Sequence, residues 1–268
     1  MKVFIAVDLE GVGGYVKWDT ADRQQERELI TGEANAAVAG AFAGGAAEVL
    51  VTEAHANMRN IIPDQIDARA TFLSGKPKLQ NHMAGIDDSF HAALLVAYHA
   101  RAGTLHAVMA HTYSGNIFSL RFNGIEVGEM GADAAIAGHY GVPVVLVTGD
   151  SGVCAEARDQ LGDIETVCVK EAVSHTAAQC CAVERARELV REGAERALAR
   201  AESTPPFVID PPVRTDITFN NPSHADNLSA LPFIERMDGR TVSFTADDYL
   251  QAFEMFSPLH YLAGFPHS

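Results

Sequence analysis

The stretch KVFIAVDLEGVGG, residues 2–14, decides the fold. Residues 3–7 form a short apolar run, the right length for a strand covered on both faces. Asp8 and Glu10 end the run, and Gly11, Gly13 and Gly14 follow. The same pattern recurs at 48–52 (EVLVT), 93–98, 142–148 (VPVVLVT) and 166–170 (TVCVK). Helical patterns lie between them, at 21–44 before the Gly44-Gly45 pair and at 176–201 before Pro205-Pro206. Short apolar runs alternating with helices predict an α/β fold: a largely parallel sheet flanked by helices.

One segment departs from that rhythm. FSLRFNGIEV, residues 118–127, alternates around Asn123-Gly124, and Asn-Gly between alternating runs marks a type I′ hairpin. A smaller inserted antiparallel element is therefore expected. The expected division is a larger α/β part, about 1–80 and 130–268, with an insert at about 81–129. Ser203-Thr204-Pro205-Pro206 is the best linker candidate. Short strands are expected at 216–219 and 241–244, then a closing helix from Asp247.

Composition narrows the function. With 20 Lys plus Arg against 35 Asp plus Glu, the formal charge of the 268 residues is −15. Such a surface repels phosphate backbones, which argues against a nucleic-acid partner; the acidity itself needs no explanation beyond solubility. Cys154, Cys168, Cys180 and Cys181 form no C-x-x-C pair and read as buried, reduced thiols. The N-terminal apolar run is broken by acids after a few residues, and no cleavage site follows. HAALLVAYHA, residues 91–100, is too short to span a bilayer. No membrane association and a cytoplasmic location are the expectations.

The acids and histidines at strand ends carry the chemistry. In an extended segment residues i and i+2 point the same way, so the D-x-E spacing aims Asp8 and Glu10 at one place. In open α/β sheets ligands bind beyond the carboxyl ends of strands, and a cation there would relieve the repulsion of two carboxylates. His55 and His99 each follow an apolar run. Taken singly, each reads more readily as a strand-end or core histidine than as a ligand. Together with the carboxylates they make an N/O set suited to zinc and its neighbours. Glu129 stands where an Ala-rich helix begins, a position the helix dipole alone would favour for an acid. His111 lies in a loop-like stretch and reads first as a surface residue; Glu53 and His106 read as surface residues too. The chain has no G-x-S-x-G elbow, Walker loop or H-E-x-x-H. The glycines of EGVGG lack the dinucleotide spacing, and the two acids before them would repel a pyrophosphate.

Several of these segments together resemble the zinc D-aminopeptidases of bacterial dipeptide-permease operons. The matching segments are VDLEG at 7–11, His55-Ala56-Asn57-Met58, GIDDSF at 85–90, YHAR at 98–101, MAH at 109–111, VGE at 127–129 and VPVVLVTGD at 142–150. Each is weak alone; their order and spacing are specific. The match is strongest up to about residue 170 and weaker beyond Pro205. The resemblance implies two Zn2+ per subunit held by Asp8, Glu10, His55, His99 and Glu129; of these, Asp8 is the simplest candidate for a bridging ligand on mechanistic grounds. It implies a catalytic role for His111 and release of N-terminal residues from short D-amino-acid peptides such as D-Ala-D-Ala. It also implies a homo-oligomer, a decamer of two stacked pentamers. A dinuclear hydrolase of another amide or ester, and a non-catalytic metal- or peptide-binding module, are the alternatives.

Overall fold

The computed structural model describes residues 1–18 and 22–264. Its centre is a seven-stranded sheet made from β1 (Lys2–Val7), β2 (Glu48–Glu53), β3 (Thr71–Leu73), β4 (Ala92–Tyr98), β7 (Val144–Asp150), β8 (Glu165–Ser174) and β9 (Ala177–Cys180). The order across it is β3-β2-β1-β4-β7-β8-β9, and every pairing is parallel except β8 with β9. The chain moves outward from β1 to β2 and β3, then crosses to β4 and proceeds the other way. The β1/β4 boundary is thus a topological switch point, where open α/β sheets place their ligands.

The opening strand shows why the sheet is central. Val3, Ile5 and Val7 pack into one core beneath α1 (Arg23–Ala43) and α4 (Val183–Leu198). Phe4 and Ala6 face the second core, shared with α2 (Glu129–His139), α3 (Ser151–Leu161), α5 (Pro222–Leu228) and α6 (Tyr249–Ala263). A strand covered on both faces needs apolar residues at every position, hence the continuous run. The expected start of the first helix at Ala21 lies outside the described residues. Asp22 caps the described helix by accepting from the Gln25 N–H, and Gly44 ends it.

The second sheet has five strands in the order β11-β12-β10-β5-β6. The Asn-Gly hairpin is present: β5 (Ile117–Phe122) and β6 (Ile125–Val127) pair antiparallel, with Asn123 and Gly124 at φ of 50° and 81°. The antiparallel element is larger than a hairpin. The other three strands, β10 (Val213–Phe219), β11 (Glu235–Arg236) and β12 (Thr241–Ala246), come from the C-terminal part of the chain. The strand distribution therefore differs from an insert at 81–129, since β4 lies at the centre of the parallel sheet and β10 to β12 build the antiparallel one. The pairing of β5 with β10 joins segments about ninety residues apart, which local pattern does not show.

The long helix expected at 176–201 begins later. Residues 177–180 turn back as β9 along β8, and only Val183–Leu198 is helical. An edge strand satisfies the outward-facing ladder of β8, which outweighs the helix preference of the alanines. The closing helix is α6, capped by Asp248. The four cysteines are free, and Cys154 alone among them is buried; Cys168 is exposed because β8 presents that position to solvent.

Candidate metal centre

Asp8 and Glu10 leave the C-terminal end of β1, and both are almost fully buried. The turn that carries them is held by unusual backbone. A Cβ on Gly11 would run into the Tyr98 carbonyl, and the Gly11 N–H donates to Ala97 O at 2.7 Å. Only glycine lets the loop after β1 lie that close to the end of β4. From the other side, the buried Lys170 ammonium donates to the carbonyls of Glu10, Val12 and Tyr15.

His55 follows β2. The buried Glu53, expected at the surface, holds this loop instead: it accepts from the Asn60 backbone and side-chain amides and from the Ile61 N–H. His55 Nδ1 lies 2.9 Å from Glu10 Oε2 and 3.5 Å from Asp8 Oδ1. His99 follows β4. Its Nδ1 pairs with the Ala100 carbonyl at 3.0 Å, and its Nε2 lies 3.5 Å from Asp8 Oδ2 and 3.3 Å from Glu129 Oε1. Glu129 is the first residue of α2, and its Oε1 accepts from the Tyr113 N–H at 2.7 Å. His111 Nε2 lies 3.5 Å from Glu129 Oε1, and its ring stacks on His99 with centroids 4.0 Å apart. The site thus draws together all six residues singled out in the sequence. His106 is exposed and lines a different cavity.

Several non-glycine residues around the site lie in the left-handed region: Ala56 and Met58 beside His55, Ala97 near the end of β4 before His99, Met109 before His111, and Tyr113. Such backbone costs of order 1–3 kcal/mol per residue and collects at functional sites.

The electrostatics describe a place built for a cation. Burial and the neighbouring Glu10 push the Asp8 carboxyl up to about 6. Burial opposes charge on Glu10 and Glu129 as well, yet His55 and His99 respectively hold them well below the usual carboxylate range. Burial also opposes charge on the imidazoles, but Glu10 and Asp8 raise His55 to about 11, and Glu129 and Asp8 raise His99 to about 10. His99 Nε2 and Asp8 Oδ2 have no hydrogen-bond partner although they face each other while buried. With Nδ1–H given to the Ala100 carbonyl, a neutral His99 would set a lone pair against carboxylate lone pairs. A proton or a metal ion must sit between them. Asp8, Glu10 and His99 form one group whose ligand atoms all lie within 4.8 Å of one another, and His99, His111 and Glu129 form another. The donor set of carboxylate oxygens and imidazole nitrogens fits zinc. His111 differs from His55 and His99: burial and the charge of His99 lower its pKa, and its Nδ1 is engaged by the Met109 carbonyl at 2.9 Å. A neutral ring with Nδ1–H spent leaves Nε2 as a free acceptor.

Four further residues complete the surroundings. Trp18 Nε1–H donates to Glu10 Oε1 at 2.6 Å, and its ring meets the His111 edge. Tyr113 supports Glu129 through its backbone. His82 and Asp133 are buried behind Glu129. Asp133 follows Glu129 by four residues, so the i,i+4 spacing on one helix face was a readable signal for it. His82 sits in a 3-10 turn at Asn81–Met83 with no pattern to announce it. A cavity of about 470 Å3 is lined by Asp8, Glu10, His55, His111 and Glu129, and also by Lys76, His260 and Tyr261.

Buried carboxylates and imidazoles converging at the switch point, beside a neutral histidine and an open cavity, define a metal-dependent hydrolase. The family model for the D-aminopeptidases of peptidase family M55 matches residues 1–258, and the chain belongs to that family. A D-aminopeptidase of Bacillus subtilis (strain 168) is 34% identical over 262 residues, covering 95% of this chain and 94% of that protein. The solved structure of the Zn-dependent D-aminopeptidase DppA from Bacillus subtilis, a self-compartmentalizing protease, matches with a TM-score of 0.95 and 31% identity over the whole of both chains.

Proposed function

We propose that this D-aminopeptidase holds two zinc ions per subunit and releases N-terminal D-amino acids from short peptides such as D-Ala-D-Ala. The observation that carries the reading is the buried pair His99 Nε2 and Asp8 Oδ2, which face each other at 3.5 Å without a hydrogen-bond partner. Asp8, Glu10 and His55 hold one side of the site; His99 and Glu129 hold the other, and Asp8 faces both. The zinc ions, when bound, supply Lewis acidity that polarises the scissile carbonyl and lowers the pKa of water.

The chain's own residues do the rest. His111 Nε2, an acceptor on the cavity wall, takes a proton and returns it to the leaving amine. Its tautomer favours that shuttle over donation to an oxyanion, because Nδ1–H is committed to the Met109 carbonyl. The substrate's ammonium meets the acidic wall beside Glu10. A cavity of about 470 Å3 suits a peptide of two or three residues. The cavity lining contains Lys76 but no arginine among the described residues, which weighs against a phosphoester substrate. Both sheets act as one catalytic unit, since Glu129 follows the hairpin and Asp8 the parallel strand.

The self-compartmentalizing relative supports a closed ring, which we take to be a decamer of two stacked pentamers, acting in the cytoplasm. Among the described residues no helix is long and apolar enough to cross a membrane. Elemental analysis, chelation and a D- against L-dipeptide release assay test the reading, with native mass measured on the same sample. Two zinc per chain, loss of activity on chelation, preference for D-Ala-D-Ala and a mass many times 28.7 kDa are expected. Active protein free of transition metal would overturn it.

A further inference from the structure

Asp133 and His82 lie outside the ligand set, yet both press on it. Asp133 is fully buried, one turn along α2 from Glu129. Its carboxylate faces His82 Nδ1 at 2.9 Å, the Tyr98 hydroxyl at 2.7 Å and the Tyr113 hydroxyl at 3.4 Å. A carboxylate against Nδ1 places the Nδ1–H there and turns the other ring nitrogen away. That nitrogen, Nε2, lies 3.7 Å from Glu129 Oε2, a charge contact rather than a hydrogen bond. The His82 ring also stacks on Tyr113, with centroids 5.4 Å apart and planes at 25°. Tyr113 in turn donates its N–H to the other oxygen of Glu129.

The two oxygens of Glu129 therefore face two residues that also touch each other. Oε1 is oriented by Tyr113 and faces His99 and His111; Oε2 faces His82. A purely structural Asp133 would be served by the two tyrosine hydroxyls with any apolar side chain at 82. Instead a histidine is inserted whose free nitrogen points at a candidate ligand, and it lines the cavity. Partners of this kind, one shell behind a metal, orient its ligands, and their loss typically weakens metal binding about 10–100-fold.

We propose that Asp133 and His82 are positioning residues: through His82 they fix the Glu129 carboxylate and set the affinity of the cation it holds. The proposal rests on the metal-centre reading above. The relay acts as a unit, because His82 is aimed only while Asp133 holds Nδ1.

The test is titration of the full-length protein with Zn2+ in competition with a chelator, and with Co2+ followed by its visible absorption. We expect His82→Leu and Asp133→Asn each to weaken one of the two metal ions by roughly 10–100-fold. The Co2+ bands should shift, and the second ion should bind as before. The double variant should be no weaker than His82→Leu alone, since coupled residues are not additive. His82→Gln keeps an N–H donor and should recover part of the loss. Should His82→Leu fail to fold, Asp133→Asn and His82→Gln carry the comparison. Wild-type affinities and Co2+ spectra in the variants, even with a lowered melting temperature, would overturn the proposal and leave the metal reading intact. Wild-type protein that binds no metal would overturn both.

Discussion

The two sides of the site are built by different means. The Asp8–Glu10–His55 side is an extension of the parallel sheet. β1 and β2 are neighbours in register, Val7 opposite Glu53, so the residues just past their ends must lie side by side. The Glu129–His111 side depends on a detour. The chain leaves β4 at His99, passes through the loop carrying His111, forms two strands of the second sheet, and returns as α2 with Glu129 at its first residue. His99 stands between the two, 3.5 Å from Asp8 and 3.3 Å from Glu129. The sheet side is placed by strand register and the other side by tertiary packing; backbone in the left-handed region serves both, at Ala56 and Met58 beside His55 and at Met109 and Tyr113 opposite.

Breaking the sheet side should have the largest effect. Asp8 faces both His55 and His99, so Asp8→Ala removes a group that joins the two halves. The variant is expected to lose most of its metal and nearly all activity, checked by zinc stoichiometry and kcat. Retention of both zinc ions would show that Asp8 is not a ligand.

The opposite side offers a sharper cut. His111→Ala is expected to keep near-normal zinc while kcat falls about a hundredfold to several thousandfold, with a smaller change in KM. His111 is as close to Glu129 as a ligand would be, so the zinc count decides its role. Metal loss equal to that of Asp8→Ala would make it a ligand; unchanged turnover would make it a bystander.

Next comes the support beneath the sheet side. Lys170→Met leaves the carbonyls of Glu10, Val12 and Tyr15 without their common donor. Orphaned buried acceptors of this kind should cost about 3 kcal/mol in all. Thermal unfolding of the metal-free protein measures it, and an unchanged melting temperature would mean the loop is held from elsewhere.

The smallest effect concerns pH. Burial raises the Glu33 carboxyl to about 7, although the Gly13 N–H bonds to it at 2.7 Å. The folded state keeps this proton where the unfolded chain, near its ordinary value of 4.5, has released it. That contribution is full below about 4.5 and is lost as pH rises towards 7. Glu33→Gln keeps the acceptor for Gly13 and cannot ionise. Denaturant unfolding at pH 5 and pH 8 should show a smaller decline for the variant than for the wild type. Equal declines would remove Glu33 as the cause.

Much of this was legible in the residues. The strand at 3–7 and the pair Asp8/Glu10 follow from an apolar run ended by acids at i and i+2. The hairpin at Asn123-Gly124 follows from turn chemistry. The five-stranded sheet was not legible, because β5 pairs with β10, far along the chain, and no local pattern encodes that partner. β9 was hidden inside a helix-like run, because pairing along an exposed sheet edge overrode propensity. Glu53 looked like an ordinary strand-end acid, and only its burial shows that it fixes the His55 loop. His82 had no signal at all, since its significance lies entirely in facing Asp133 and Glu129.

The sequence by itself determined the α/β alternation and the residue types of the site, because both are properties of short segments: period, run length and side-chain chemistry. Tertiary structure alone decided that Asp8 and His99 face each other unpartnered, that burial and the neighbouring His99 disfavour charge on His111, and that Glu129 is backed by His82 and Tyr113. Those facts depend on distances between residues that are separated in the chain, Asp8 and His99 above all, and on the low-dielectric interior that makes each of those distances matter.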